Sequence, residues 1–136
     1  KDVTQDNILT TICKSGWTAT IRPTVTYTNK LKNDQLKTSY SSYTLIWGTD
    51  PSKYEEDHLI SLQLGGNPTD PKNLWPEPYS NNGARVKDVV ETALKRLVCS
   101  GSLKLKDAQK AILNWPAAYK KYVTVADSKA PDTSDN

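Results

Sequence analysis

The chain contains one histidine, His58, which directly follows Asp57. Two glycines, Gly65 and Gly66, and then Asn73 come after it. An imidazole has a reference pKa of about 6.5 and can therefore act as a general base near neutral pH. The residue types alone leave two interpretations open: His58 either takes part in catalysis or packs with Asp57 as a hydrogen-bonded, half-buried pair.

The residues around His58 predict a hairpin followed by a helix. Residues 57–64 alternate as a strand does, and residues 65–73 are rich in turn formers. Residues 74–78 predict a short second strand that prolines terminate. Residues 84–99 then carry apolar side chains at the spacing of a helix.

The rest of the chain is predicted to be mainly helical. The helical segments cover residues 4–13, 28–37, 105–114 and 115–122, with a break at Pro116, and a brief strand covers residues 17–23. With 36% apolar and 24% charged residues, the composition is that of a globular protein. We expect one small α+β domain, mostly helical, over residues 1–126, followed by a flexible C-terminal tail over residues 127–136.

The charge of the chain is mildly basic. A formal net charge of +3 favours a polyanionic partner but is far from the charge of a dedicated DNA-binding domain. Lysines are concentrated in residues 102–110 and 119–122, where they can also be the solvated faces of helices. Charge alone therefore does not identify a ligand.

The two cysteines, Cys13 and Cys99, are too few for a structural zinc site and lack a redox spacing. We predict that they form one disulfide, with two buried thiols as the alternative. A disulfide indicates a secreted or periplasmic protein. No apolar run approaches the roughly 18 residues that a membrane-spanning helix needs.

A resemblance to the HNH, or His-Me finger, endonuclease superfamily is carried by the stretches YEEDHLISLQLGG, DPKNLWPEP, KDVVETALKRLVCSG and AQKAI. Within that superfamily the chain is most similar to small exported bacterial HNH-like proteins, over about residues 12–119. The matching features are an Asp-His pair on the first strand, a Gly-rich turn, and an Asn-Leu pair that opens the second strand. The resemblance implies a ββα-metal (HNH) finger within the α+β domain.

The resemblance also implies a metal-dependent endonuclease that hydrolyses the phosphodiester bonds of DNA, with RNA as the other substrate. His58 would be the general base, Asp57 a metal ligand, and Asn73 the residue that braces the loop and orients His58. Because neighbouring side chains of an ideal strand point to opposite faces, a site shared by Asp57 and His58 requires a local twist or bulge.

The second metal ligand departs from the HNH pattern. The pattern has a second His or an Asn after the turn, and this chain has Asn82 there, while Asp88 and Glu91 are charged alternatives on the predicted helix. With no second His and no metal-binding cysteine, the residues favour Mg²⁺, with Mn²⁺ and Zn²⁺ as alternatives. The other acids near the site are Glu55, Glu56 and Glu77.

Two functions of different classes follow from these patterns. The first is the endonuclease, and the second is a secreted module on an HNH scaffold that binds nucleic acid or a protein without turnover. The expected partner is nucleic acid bound without sequence specificity, with DNA favoured, and an inhibitor protein is a further partner to consider. We expect a monomer that does not bind membranes.

Overall fold

The computed structural model describes residues 2–38, 48–79 and 83–129, with side chains from residue 86 onward in the last range. Two strands, β1 (Tyr54–His58) and β2 (Leu74–Pro78), form an antiparallel sheet. The helices are α1 (Trp17–Ile21), α2 (Val25–Thr38), α3 (Gly83–Cys99), α4 (Leu105–Ile112), α5 (Trp115–Tyr122) and α6 (Val125–Lys129), and a 3-10 helix covers Gln5–Thr10. The predicted α+β, mostly helical fold class is therefore confirmed.

The hydrophobic core forms around α3. Apolar residues recur along this helix at the spacing that places them on one face, and that face is buried. The buried residues of this core cluster are Ile8, Ile12, Leu64, Val90, Leu94, Val98, Leu105, Ala108, Ile112 and Ala118. The N-terminal segment and helices α4 and α5 thus pack on α3, and the hairpin lies directly before α3 in the chain.

The predicted first strand is wrong in its position. The strand covers Tyr54–His58, whereas we predicted residues 57–64, and Leu62–Leu64 form a 3-10 turn. The amide of Gly66 donates to the carbonyl of Ser61 at 2.9 Å, and Gly65 has φ +85°, so the backbone turns away from the sheet here. Burial here does not alternate as the sequence pattern does, because Ser61 and Gln63 are buried together with Leu62 and Leu64.

The strand predicted over residues 17–23 is also wrong, because Trp17–Ile21 form α1. The described sheet contains only β1 and β2, so a strand here would leave its backbone N–H and C=O groups without partners. A single helical turn pairs these groups locally. The turn starts after Gly16, which has φ +80°, and ends at Arg22, whose extended backbone is the conformation that the following Pro23 requires.

The predicted tail begins with folded residues. Asp127 lies in α6, and its carboxylate accepts a hydrogen bond from the Arg96 side chain at 2.9 Å and another from the backbone amide of Thr124 at 2.9 Å. The chain is therefore helical up to Lys129, and residues 130–136 lie outside the described ranges. Among the helices that the structure describes, none has the length and apolar character needed to cross a membrane.

The predicted disulfide is confirmed. Cys13 and Cys99 are bonded to each other across a sequence separation of 86 residues, with their Cα atoms 5.7 Å apart. The bond ties the segment after the N-terminal 3-10 helix to the last residue of α3. It thereby anchors the N-terminal segment to the helix that organises the core.

Reduction of this disulfide should lower the free energy of unfolding substantially. Closing a loop of this length in the unfolded chain contributes about 4 to 5 kcal/mol in the chain-entropy description. We expect urea unfolding with a reducing agent to show a loss of this order. A Cys13→Ala/Cys99→Ala variant should start at the lower stability and be insensitive to the reducing agent. Two reactive thiols in the native, unreduced protein would contradict the assignment.

Candidate functional site

The end of β1 places Asp57 and His58 on opposite faces of the hairpin. Asp57 is paired with Trp75 and His58 with Leu74, in unbroken register. Because side chains alternate along a strand, Asp57 faces α3, while the His58 ring faces the loop between the strands. The bulge expected for a shared site is not present in the described hairpin, so the two side chains have different surroundings.

The His58 ring is buried, with 4% of the residue exposed, and its hydrogen bond defines its tautomer. Nε2 lies 3.0 Å from the carbonyl oxygen of Pro68, which can only accept, so Nε2 carries the proton. Nδ1 is then the basic nitrogen, and it has no hydrogen-bond partner within the described part of the chain. Burial lowers the pKa of His58 below its ordinary value, so the ring is neutral at neutral pH.

Asn73 braces the loop that holds Pro68. Its side-chain oxygen accepts from the amide of Ile60 at 2.9 Å, and its side-chain nitrogen donates to the carbonyls of Ile60 at 3.0 Å and Asn67 at 2.9 Å. Its own amide donates to Asp70, as the fourth residue of a turn does. Asn73 therefore holds the two ends of the loop together.

Gly66 makes this close approach sterically feasible. A Cβ atom added to it would lie 1.7 Å from the carbonyl oxygen of Ile60 and 2.9 Å from the side-chain nitrogen of Asn73. No side chain fits at that distance from a backbone atom. The hydrogen bonds of the Asn73 side chain to Ile60 and Asn67 therefore require a glycine at position 66.

On the other face of the hairpin, a buried ammonium binds Asp57. The Lys87 Nζ donates to Asp57 Oδ2 at 2.7 Å, to the carbonyl oxygen of His58 at 2.7 Å and to Glu91 Oε2 at 2.9 Å. The side chains of Lys87, Asp57 and Glu91 are 3%, 2% and 0% exposed. Although burial lowers the pKa of Lys87, the charges of Glu91 and Asp57 outweigh it and hold that pKa above its ordinary value.

Three carboxyl groups meet on the same face. Oxygens of Glu55, Asp57 and Glu77 lie within 4.8 Å of one another, which is close enough for one cation. Burial, together with a hydrogen bond to Asp57 and the charge of Asp57, raises the pKa of Glu77 to about 9, so Glu77 is protonated at neutral pH. A proton on Glu77 and the Lys87 ammonium therefore already reduce the negative charge of this cluster.

The metal ligands expected from the sequence are not brought together by the described residues. Asn82 lies outside the described ranges, and Asp88 is not part of the carboxylate group around Asp57. Both oxygens of Asp57 accept hydrogen bonds, Oδ1 from the His58 amide at 2.9 Å and Oδ2 from Lys87. Glu91 is paired with the same ammonium. The described donor set, as arranged, does not fit a divalent ion at Asp57.

Glu56 faces the other side of the hairpin. Burial raises the pKa of its carboxyl to about 8, although Lys32 and Gln35 of α2 act in the opposite direction and lower that pKa. It is therefore separate from the group formed by Glu55, Asp57 and Glu77.

Sequence reasoning did not identify the roles of Lys87 and Arg22. Lys87 and Glu91 are four residues apart on a helix, a spacing that suits an ion pair but is the same whether the pair is exposed or buried. Arg22 is exposed at the end of α1, and its charge acts on the His58 ring. Ile21, the residue before it, lines a cavity of about 300 Å³ together with Pro68. Because the sequence pattern predicts a strand over residues 17–23, it does not indicate that this segment lies near the loop that carries Pro68.

Comparisons of the chain with models of known families, with curated proteins and with solved structures find no match.

Substitution of Glu77 should change how stability depends on pH. The pKa of Glu77 rises from 4.5 to about 9 on folding, so its contribution is complete below pH 4.5 and is lost as the pH rises through 9. Glu77→Gln keeps a neutral side chain at every pH. Relative to this variant, the wild type should lose up to about 5 kcal/mol of unfolding free energy as the pH rises from 5 to 9, at about 1.4 kcal/mol per pH unit.

Urea unfolding at a series of pH values measures this difference. An Asp107→Asn variant, which alters an exposed carboxyl on α4, serves as the control and should follow the wild type. Parallel curves for the wild type and Glu77→Gln would show that Glu77 is ionised in the folded protein.

Proposed function

We propose that this protein is an endonuclease that hydrolyses phosphodiester bonds, with the Nδ1 atom of His58 as the general base. The observation that supports this most is the tautomer of His58. The Pro68 carbonyl keeps the proton on Nε2 and leaves the lone pair of Nδ1 without a described partner. A buried polar atom without a partner is costly, and groups with a perturbed pKa, such as His58, are concentrated at functional sites.

The proton transfer follows from this arrangement. Nδ1 takes a proton from a water molecule as its oxygen bonds to phosphorus and the P–O bond to the leaving sugar oxygen breaks. The resulting imidazolium donates to the Pro68 carbonyl through Nε2, and the leaving oxygen takes a proton from solvent. The lowered pKa of His58 keeps the base unprotonated at neutral pH before the reaction. Asn73 keeps Pro68 in place by holding the loop closed at Asn67.

Arg22 is the described residue best suited to contact the phosphate. Its guanidinium is always charged, is exposed beside the loop that carries Pro68, and acts on the His58 ring. A guanidinium can bind two phosphate oxygens at once. It would therefore hold the scissile group near Nδ1 and stabilise the charge that develops on it.

The order of elements supports assignment to the HNH superfamily. β1, the Gly-rich turn, β2 and α3 follow each other as a ββα-metal finger requires, and Asn73 makes the bracing contacts that the resemblance implies. In that superfamily a bound divalent ion stabilises the negative charge that develops on the phosphate. Since the described donors around Asp57 do not fit such an ion, we assign no step of the reaction to it.

The expected substrate is DNA, with RNA as the alternative, bound without sequence specificity by a monomer. A site of action outside the cytoplasm, secreted or periplasmic, is supported by the disulfide. An inhibitor protein would be consistent with an exported nuclease.

The second candidate function is a binding module without turnover. His58 is only 4% exposed, so a phosphate reaches Nδ1 only if the neighbouring chain moves aside. The ammonium of Lys87 has no donor left for a substrate. Both observations favour a scaffold that keeps the architecture of the site but binds nucleic acid or a protein with other surfaces.

Plasmid nicking by His58→Gln distinguishes the two functions. The Gln amide can still donate to Pro68, so the variant should fold, but it lacks a basic nitrogen. We expect cleavage to fall by about 10² to 10⁴-fold, the usual contribution of a general base. Asn73→Ala should lose less activity and loosen the loop. Cleavage by His58→Gln at the wild-type rate would falsify the mechanism.

The wild type must first be assayed with EDTA and with Mg²⁺, Mn²⁺ and Zn²⁺ in turn. Absence of cleavage under all of these conditions would favour the binding module.

Binding without cleavage can be measured in the His58→Gln background. Fluorescence anisotropy with a labelled oligonucleotide should show weak affinity that falls steeply with salt, because phosphate contacts release counterions. Adding Arg22→Gln to the His58→Gln variant should weaken binding. It should also reduce the slope of log affinity against log salt by about one, the amount expected for one lost phosphate contact. The control is Arg96→Gln, at a helix position paired with Asp127, which should bind as its parent does. Equal effects of the two substitutions would argue against a specific contact at Arg22.

A further inference from the structure

We infer that Lys87 is the resident cation of the site, and that its ammonium takes the position at Asp57 that the HNH resemblance assigns to a divalent metal. The inference concerns the same site as the proposed nuclease. It rests on that proposal only for the comparison with a metal, since the contacts of Lys87 stand without it.

The first argument is the match between donors and acceptors. An ammonium has three N–H donors and no acceptor. Lys87 has three oxygen partners, Asp57 Oδ2, the His58 carbonyl and Glu91 Oε2, at 2.7, 2.7 and 2.9 Å. Each donor therefore has its own acceptor, and these three oxygens form an oxygen cage around Nζ.

The second argument is burial. Lys87 is 2% exposed as a residue, and lysine is almost never buried to this degree unless it is paired. Asp57 and Glu91 are also buried, so removal of the ammonium would leave two carboxylates in the interior with no countercharge from it. The protein thus contains a built cation site that is filled by its own side chain.

The third argument is position. The oxygen cage joins the end of β1, through Asp57 and the His58 carbonyl, to α3 through Glu91. The HNH resemblance expects a metal to bridge the same two elements, from Asp57 to a side chain beyond the second strand. Lys87 makes this bridge from within the chain, and it positions the backbone of His58 as a consequence.

The size of the oxygen cage predicts what could replace the ammonium. Calcium binds oxygen at about 2.3 to 2.6 Å, so a contraction of a few tenths of an ångström would accommodate it. Magnesium requires about 2.0 to 2.1 Å in strict octahedral geometry and would need a larger rearrangement. A divalent ion should therefore enter only when Lys87 is shortened, and Ca²⁺ should be preferred to Mg²⁺.

The test measures Ca²⁺ and Mg²⁺ binding in the absence of nucleic acid, by calorimetry and by the shift in melting temperature. Lys87→Ala empties the oxygen cage, whereas Lys87→Met removes the charge but fills the space. We expect Lys87→Ala to bind Ca²⁺ at least about tenfold more tightly than the wild type does, as two buried carboxylates and a carbonyl should. Lys87→Met and the wild type should show no comparable site.

Two results would overturn the inference. One is Ca²⁺ or Mg²⁺ binding by the wild type that Asp57→Asn abolishes, because Asp57 would then be a metal ligand with Lys87 in place. The other is a folded Lys87→Ala variant that binds Ca²⁺ no better than Lys87→Met does.

If Lys87→Ala does not fold even with Ca²⁺, the inference is tested on the wild type by measuring how readily Lys87 is chemically modified. Reductive methylation of the native protein should leave Lys87 unmodified, with or without Ca²⁺, while Lys30, whose side chain is 79% exposed, reacts. Mass spectrometry of the digested protein reads both sites. Modification of Lys87 at the rate of Lys30, or a rate that changes when Ca²⁺ is added, would contradict a permanently caged ammonium.

Discussion

The buried ammonium of Lys87 is the interaction on which the rest of the structure depends. It joins the hairpin to α3 through one carboxylate on each side and through the carbonyl of His58. A charge in the interior is tolerated only with partners in good geometry, so the three acceptors must stay where they are. The end of β1 and the first half of α3 are therefore held in one relative position. The core then packs along the next turns of α3, from Val90 to Val98.

The same constraint separates the two faces of the hairpin. On the α3 face, the acidic cluster is neutralised internally, by the ammonium and by a proton on Glu77. On the opposite face, His58 is left neutral with one nitrogen bound to Pro68 and one basic nitrogen without a described partner. The polar groups of the first face are thus paired with one another, and the basic nitrogen of His58 lies on the second face, near Arg22 and the Gly-rich turn.

The fold was predictable from sequence where the pattern is long or the constraint is local. The helices α3 and α4 have apolar residues at helical spacing, and the turn formers between residues 65 and 73 predict the hairpin. The HNH resemblance implied that Asn73 braces the loop, and the structure shows that Asn73 does so through hydrogen bonds to Ile60 within one short loop. The two strand assignments failed because alternation over seven or eight residues does not distinguish a strand from a buried turn or a single helical turn.

The sequence by itself determined the fold class, the hairpin followed by a helix, and the pairing of the only two cysteines. Only the tertiary structure decided the tautomer of His58, the proximity of Arg22, and the charge of the acidic cluster. Lys87 shows the reason. Its spacing to Glu91 is the same in a buried pair and an exposed pair, and burial depends on how β1 packs against α3. The packing of β1 against α3 therefore decides that the Lys87 ammonium is buried and binds Asp57.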